Sequence, residues 1–168
     1  MKIKQVILPC AAAFALAALL ASCASAPAKV PLKDRPGVVV FEFEVKSSEK
    51  SDATLGGDVA QSITEALLRG SHLRPVERSE LEKIMVEQEF SASGMVKEAD
   101  ALEVGRLSGA RYILLGSVSP VAGQVRINAR MLDVETAEIV LADSVYGKRS
   151  AIYSLEAELA EKIEEGIE

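Results

Sequence analysis

The chain is 168 residues long, enough for one folded domain and short for two. Its 19 Lys and Arg against 25 Asp and Glu give a formal charge of −6. That balance argues against nucleic acid or anionic lipid head groups as the principal partner, because both select a basic face.

The first elements lie in an apolar leader. Lys2 and Lys4 make a short basic start, and Val6 to Leu20 is an Ala- and Leu-rich run interrupted by Pro9. The run is shorter than the roughly 20 apolar residues a membrane span requires, and small residues follow it, as in a secretory signal peptide. Leu20-Ala21-Ser22-Cys23 resembles the lipobox of bacterial lipoproteins. A branched apolar residue and two small residues admit the backbone to signal peptidase II, and the Cys23 thiol accepts the diacylglyceryl group. Residues 1–22 are therefore expected to be removed, and two or three acyl chains on Cys23 to hold the protein at a membrane. Loss of Lys2 and Lys4 takes the charge from −6 to −8. Cys10 leaves with the leader, so the mature chain has no thiol free for a disulfide, a metal or a nucleophile. Ala24, where a sorting Asp would mean inner-membrane retention, places the anchor in the outer membrane, with the domain facing the periplasm.

Residues 23–36 form a Pro- and Ala-rich tether with Pro27, Pro31 and Pro36. At about 3.3–3.6 Å per residue it reaches about 45 Å at most. The folded domain is expected over residues 37–168. Val38 to Val45 predicts a strand, and Leu55, Val59, Ile63 and Leu67 recur at helical spacing up to Gly70. Leu73 to Glu77 predicts a short strand, and Ser79-Glu80-Leu81-Glu82 reads as a capping box opening a second helix that carries Ile84, Met85 and Gln88. Phe90 to Val96 is a loop, and Lys97 to Ser108 a third helix closed by Gly109, with Gly105 inside it suggesting a close approach. Tyr112 to Val118 is a continuous apolar run suited to a central strand. Val125, Ile127, Ala129 and Met131 alternate with Arg126, Asn128 and Arg130, and Ile139 to Tyr146 follows as another strand. Ile152, Leu155, Leu159, Ile163 and Ile167 stripe a final helix. The order β-α-β-α-α-β-β-β-α predicts an α+β (mixed α/β) fold: a roughly five-stranded sheet, crossover helices, a late antiparallel meander and a C-terminal helix.

Chemistry is sparse. The single histidine, His72, is expected on a solvated turn without a catalytic partner. No cluster has metal-ligand spacing, and Gly56-Gly57 lacks the Lys-Ser/Thr of a phosphate loop and reads as a helix start. No cofactor, metal or enzymatic activity is expected. Glu77-Arg78 suits a turn into the second helix. The glutamates at 156, 158, 161, 164, 165 and 168 look like a solvated helix face, with a docking surface for a basic partner as the alternative. Arg126 and Arg130 share the polar side of one strand, either as a basic strip or paired with acids on neighbouring strands.

Val76-Glu77-Arg78-Ser79, Leu81, Lys83-Ile84 and Glu87-Gln88, followed by Ser93-Gly94, Gly105, Leu107, Gly109-Ala110, Tyr112 and Gly116-Ser117-Val118, form a linked series. Leu132-Asp133-Val134, Thr136 and Glu138-Ile139-Val140 close it. The series resembles the CsgG-like family, named for the curli secretion channel lipoprotein, over about residues 38–147. The first strand lacks the family's Pro-Phe, and Ala137 stands where a turn glycine is usual. The late connections are too short for the membrane hairpins of the channel, each strand of which needs about 9–11 residues. The resemblance therefore implies the periplasmic core without the pore. It implies a non-enzymatic envelope assembly or scaffold factor acting through an envelope protein partner, and allows a homo-oligomer. The alternatives it carries are a ring-forming accessory subunit of an export or flagellar structure, as in FlgO-type relatives, and an LpoB-like activator of a peptidoglycan synthase.

Overall fold

Val38 and Val39 are fully buried because their strand, β1 (Gly37–Val40), lies inside the sheet with a neighbour on each side. In this computed structural model, which describes residues 30–87 and 97–167, β1 pairs in parallel with β3 (Arg74–Pro75) and with β4 (Tyr112–Val121). The expected signal peptide, the lipobox Leu20-Ala21-Ser22-Cys23, the tether up to residue 29, the loop around Phe90 and Glu168 lie outside the described residues. The end of the tether segment follows the domain: Leu32–Asp34 form one 3-10 turn, and Arg35 Nη1 donates to the Gly70 carbonyl at 2.8 Å.

The first strand does not run unbroken to Val45 as its composition predicts. It leaves the ladder after Val40 and resumes as β2 (Glu44–Val45), which pairs with β4 further along. The cause is the start of the first helix, α1 (Leu55–Arg69). Phe43 N–H donates to the Gly56 carbonyl at 3.3 Å, and Gly56 sits so close to the Phe43 carbonyl that a Cβ there would overlap it. Only glycine permits that approach. The Phe43 ring is then buried against Gly116 of β4. The predicted second strand shrinks to two residues. Pro75 offers no N–H to extend a ladder, although Val76 N–H still reaches the Val38 carbonyl at 2.9 Å. The second helix, α2 (Arg78–Glu87), begins one residue before the expected cap. Ser79 is thus inside the helix, and Glu82 Oε1 accepts from Arg78 Nε at 3.0 Å instead of turning back on the backbone.

The third helix, α3 (Glu98–Leu107), ends at Gly109 with φ of 65°. The close approach expected at Gly105 is real: a Cβ there would stand 2.8 Å from Val134 Cγ2 and 2.9 Å from Ile113 Cγ2. After β4 the chain turns tightly through Ala122 and Gly123, both at positive φ, as a two-residue hairpin requires. It runs antiparallel as β5 (Gln124–Asp133) and again as β6 (Ile139–Lys148), with a bulge opposite Met131 and Leu132. The final helix is α4 (Ile152–Glu165).

The sheet order is β3-β1-β4-β5-β6, with β2 continuing the line of β1 beside β4. Its six strands form the mixed α+β architecture with crossover helices, late hairpins and C-terminal helix that the sequence predicts. Two helical layers flank it. Val59, Ile63 and Leu67 of α1 and Leu155, Leu159 and Ile163 of α4 pack on one face against Val38, Leu114, Val118, Ile127 and Met131. Leu81 of α2 and Ala101, Leu102 and Val104 of α3 pack on the other against Val39, Ile113, Leu115 and Leu132. Among the described residues, no helix is long and apolar enough to cross a membrane.

Candidate docking surface

Among the described residues, the second helical layer covers only part of the sheet. Residues two apart along a strand share a face, so the register of β4, β5 and β6 gives cross-strand rows on the side of α2 and α3. The row Ile113, Leu132, Ile139 is under the helices at its β4 and β5 positions. Beyond it lie Leu115, Arg130, Ala142; then Ser117, Asn128, Ser144; then Ser119, Arg126, Tyr146; and at the hairpin end Val121, Gln124, Lys148. Among the described residues, no helix packs over the last three rows, and on β4, β5 and β6 they hold no carboxylate, although Glu44 of β2, paired with Ser117, adds one to the first of them. Tyr146 is 61% and Val121 67% exposed.

Where the helices stop, the sheet dips into an open groove of about 950 Å³. Phe41, Lys46, Lys97, Leu115 and Asn128 are among its walls. Asn128 Nδ2 donates to Ser117 Oγ at 3.2 Å, and Glu44 at the border faces Lys46 Nζ at 3.9 Å. The two arginines do share one side of β5, and each has a partner. Arg130 pairs with Glu98 at 2.9 Å, an acid from the start of α3 and not from a neighbouring strand. The Arg126 guanidinium lies over the Tyr146 ring, 5.4 Å from its centroid.

The other residues singled out from sequence fall elsewhere. Arg78 joins Glu42 at 2.7 Å and Glu82 at 3.0 Å, tying the start of α2 to the broken first strand. Gly56 and Gly57 occupy the first turn of α1, as a helix start would. His72 lies in the turn after α1 with its ring partly exposed, and its Nδ1 is 3.3 Å from Glu164 Oε2, which also accepts the backbone N–H groups of Ser71 and His72. Not all the α4 glutamates are solvated. Glu158, Glu161 and Glu165 are exposed, whereas Glu164 is half-buried and Glu156 is only 4% exposed. Glu156 faces Ser62 and Asp58 of α1, and burial raises its carboxyl above the ordinary range. Helical phase explains the split, because Glu156 adjoins the buried Leu155 and Glu164 the buried Ile163. Two further acids were not singled out from sequence. Asp52, in the loop before α1, accepts from Ser47 Oγ at 2.5 Å and pairs with Arg149 at 2.6 Å. Asp143 pairs with Lys162 of α4 at 3.0 Å. Among the described residues, no group of three His, Cys, Asp or Glu side chains could hold a metal ion.

The fold and this surface define a class: a mixed-sheet domain whose antiparallel half is left uncovered on one face by the described helices. Residues 19–122 match the family described as curli production assembly/transport component CsgG, and the chain belongs to that family. The fold is similar to the LpoB C-terminal domain from Escherichia coli, with a TM-score of 0.56 and 16% identity over 68% of this chain and 83% of that one. It is similar to PelC from Paraburkholderia phytofirmans, described as a dodecamer, with a TM-score of 0.51 and 18% identity over 77% and 88% of the two chains. A sequence relative, "Putative adenylate cyclase 3" of Rhizobium meliloti (strain 1021), is 27% identical over 140 residues. That match takes in 83% of this chain and 22% of the relative, so the chain spans about a fifth of that protein.

Proposed function

We propose that this protein is a lipid-anchored, non-enzymatic assembly or scaffold factor of the bacterial cell envelope, held at the outer membrane through acyl chains on Cys23 and acting by protein contacts. The observation that carries the reading is the half-face of β4, β5 and β6 that none of the described helices covers, with Tyr146 and Arg126 exposed on it. Tyr and Arg are the side chains that protein interfaces enrich. A sheet face of this size, open beside a packed one, is a surface for another macromolecule. Family membership and the lipobox Leu20-Ala21-Ser22-Cys23 support the envelope setting.

The test has two parts. Cys23→Ser should move the protein from the membrane fraction to the soluble periplasm and abolish palmitate labelling. A photo-crosslinking residue at Ser144 should capture protein in living cells, and one at Glu80 on α2 should not. Adducts to lipid alone, or equal labelling at both positions, would refute the reading. A second reading, a subunit of a larger ring in an export or flagellar structure, is favoured by the dodecameric description of PelC. An LpoB-like activator of a peptidoglycan synthase draws on the shared fold, and the short tether counts against it.

A further inference from the structure

The cations of this acidic chain gather at one end of the domain. Lys33, Arg35, Arg69, Arg74, Arg106 and Arg111 lie where β1, β3 and β4 begin and where α1 and α3 finish. Register brings two of them to the foot of β1. Arg74 N–H donates to the Pro36 carbonyl at 3.0 Å and Arg111 N–H to the Gly37 carbonyl at 2.9 Å, one from each neighbouring strand. Arg74 Nη2 lies 3.3 Å from the place a Cβ on Gly37 would take, which sets the guanidinium across the start of that strand. Arg106 pairs with Glu103 and Arg111 with Asp133. Among the described residues, Lys33, Arg69 and Arg74 make no ion pair.

Apolar side chains stand among these cations in the open. Val30, Leu32, Leu68 and Leu107 are each between 43% and 48% exposed. Cations interleaved with exposed aliphatic side chains are the composition of surfaces that rest on a bilayer interface. The acids of this end are placed unevenly. Asp34 and Glu87 are exposed on the cationic half, where the six cations outnumber them together with Glu103 and Asp133. Glu135 and Glu138 are in the turn between β5 and β6, and Glu165 closes α4, which packs chiefly on β6. The end is therefore split, cationic beneath β3, β1 and β4 and anionic beneath β5 and β6.

The tether arrives on the cationic half. Arg35 Nε donates to the Val30 carbonyl and Nη1 to the Gly70 carbonyl, both at 2.8 Å, so the chain from Val30 onward is held against the domain. Val30 is seven residues on from Cys23, a reach of about 25 Å. With acyl chains on Cys23 in the bilayer, this half is the part of the domain kept beside the head groups. The net charge of −6 disfavours capture of the whole protein by anionic lipid, but capture falls to the anchor, and the local cations have only to orient what is already there.

We infer that this cationic, partly apolar end rests on anionic phospholipid head groups of the membrane that holds the anchor, with the β3-β1-β4 side down and the β5–β6 turn raised. The inference rests on the reading of the protein as lipid-anchored. Attraction of Lys33, Arg69 and Arg74 to lipid phosphates and repulsion of Glu135 and Glu138 turn the domain the same way. Both act within about 8 Å at physiological salt. The orientation points the hairpin end, with Arg126 and Tyr146, away from the bilayer and leaves it to a protein partner.

The lipidated protein in phospholipid vesicles tests this, because the mature chain brings no free thiol of its own. A fluorophore on Pro31→Cys, on the cationic half, and one on Thr136→Cys, in the β5–β6 turn, are read against a quencher carried on lipid head groups. In vesicles containing phosphatidylglycerol the probe at 31 should be quenched several-fold more than the probe at 136. The difference should shrink in phosphatidylcholine alone and in high salt. Lys33→Glu with Arg69→Glu should abolish it. Lys50→Glu with Lys148→Glu, the same change of charge at the hairpin end, should leave it intact. Circular dichroism melts verify that each variant is folded. Equal quenching at the two positions overturns the inference, as does a difference undiminished in phosphatidylcholine or one indifferent to Lys33→Glu with Arg69→Glu. Flotation separates the two levels of failure. A chain that floats with neither kind of vesicle overturns the anchor and the inference with it, whereas one that floats and is quenched equally keeps the anchor and loses the orientation.

Discussion

Glu164 Oε2, in the last turn of α4, accepts the backbone N–H groups of Ser71 at 2.7 Å and His72 at 2.9 Å, and so ties down the turn that follows α1 93 residues earlier. Gly70 is packed against the same carboxylate, where a Cβ would collide with it. We expect Glu164→Ala to cost about 1–2 kcal/mol, the penalty of leaving half-buried donors unpaired. Gly70→Ala should act by pushing the same carboxylate aside. The two substitutions should therefore be strongly non-additive in a double-mutant cycle read by urea denaturation.

Gly56→Ala is expected to be more damaging. Its Cβ would meet backbone, the Phe43 carbonyl, with no flexible side chain to yield. Relief requires α1 to shift off the sheet, at a cost of about 1–3 kcal/mol or more. Chemical denaturation should show a lowered midpoint, and near-ultraviolet dichroism a loosened Phe43. Gly57→Ala, whose Cβ would stand 3.8 Å from Glu42 Oε1, is the tolerated control.

Three carboxyls set opposing pH trends. The Ser47 hydroxyl, and then Arg149, hold Asp52 below its ordinary 3.8, and the Lys162 ammonium with the Ser144 N–H does the same for Asp143. Their contributions are fully present above 3.8 and are lost as pH falls through the lower native values. Burial raises Glu156 above its ordinary 4.5, so between 4.5 and the raised value the folded state holds a proton the unfolded state has released. Stability falls as pH rises across that interval and stays reduced above it. Urea midpoints should therefore peak in mild acid. Glu156→Gln should remove the descending limb and stabilise the protein at neutral pH.

Ala137, at φ of 60°, occupies a left-handed position between β5 and β6. Asp133 braces that turn by accepting from Glu135 N–H at 2.9 Å and Thr136 N–H at 3.1 Å. A non-glycine residue in this conformation costs about 1–2 kcal/mol, partly offset by the extra freedom glycine gives the unfolded chain. Ala137→Gly should raise stability by up to about 1 kcal/mol in thermal melts, and Asp133→Ala should lower it.

Element order was legible because it depends on periodicity within short windows. The alternation of Val125, Ile127, Ala129 and Met131 and the stripe of α4 each report a single buried side. What sequence did not show depends on contacts distant along the chain. The break in the first strand is caused by Gly56, and the inward glutamates on α4 are answered by Ser71 and His72 at one and by Ser62 at the other. The capping box at Ser79 has the right residues, yet Arg78 and Glu82 pair side chain to side chain and the helix starts earlier. Arg126 and Arg130 were visible as a polar strip. That Arg130 meets Glu98 of α3 while Arg126 lies beyond the described helices could not be read, because it depends on where α2 and α3 lie over strands whose register they do not set.

The placement of β1 also determines how the domain carries a mechanical load. The residues before Gly37 feed straight into a strand lying between β3 and β4 and running parallel to both. A pull between the amino-terminal segment and anything gripping the hairpin end acts along that strand. Its hydrogen bonds on both sides are then loaded together, in shear, and do not peel one at a time. Arg35, bonded to the Gly70 carbonyl, takes up strain just before the strand does. The first strand is therefore the force-bearing element of the domain, and its attachment should resist tension better than that of the edge strand β6.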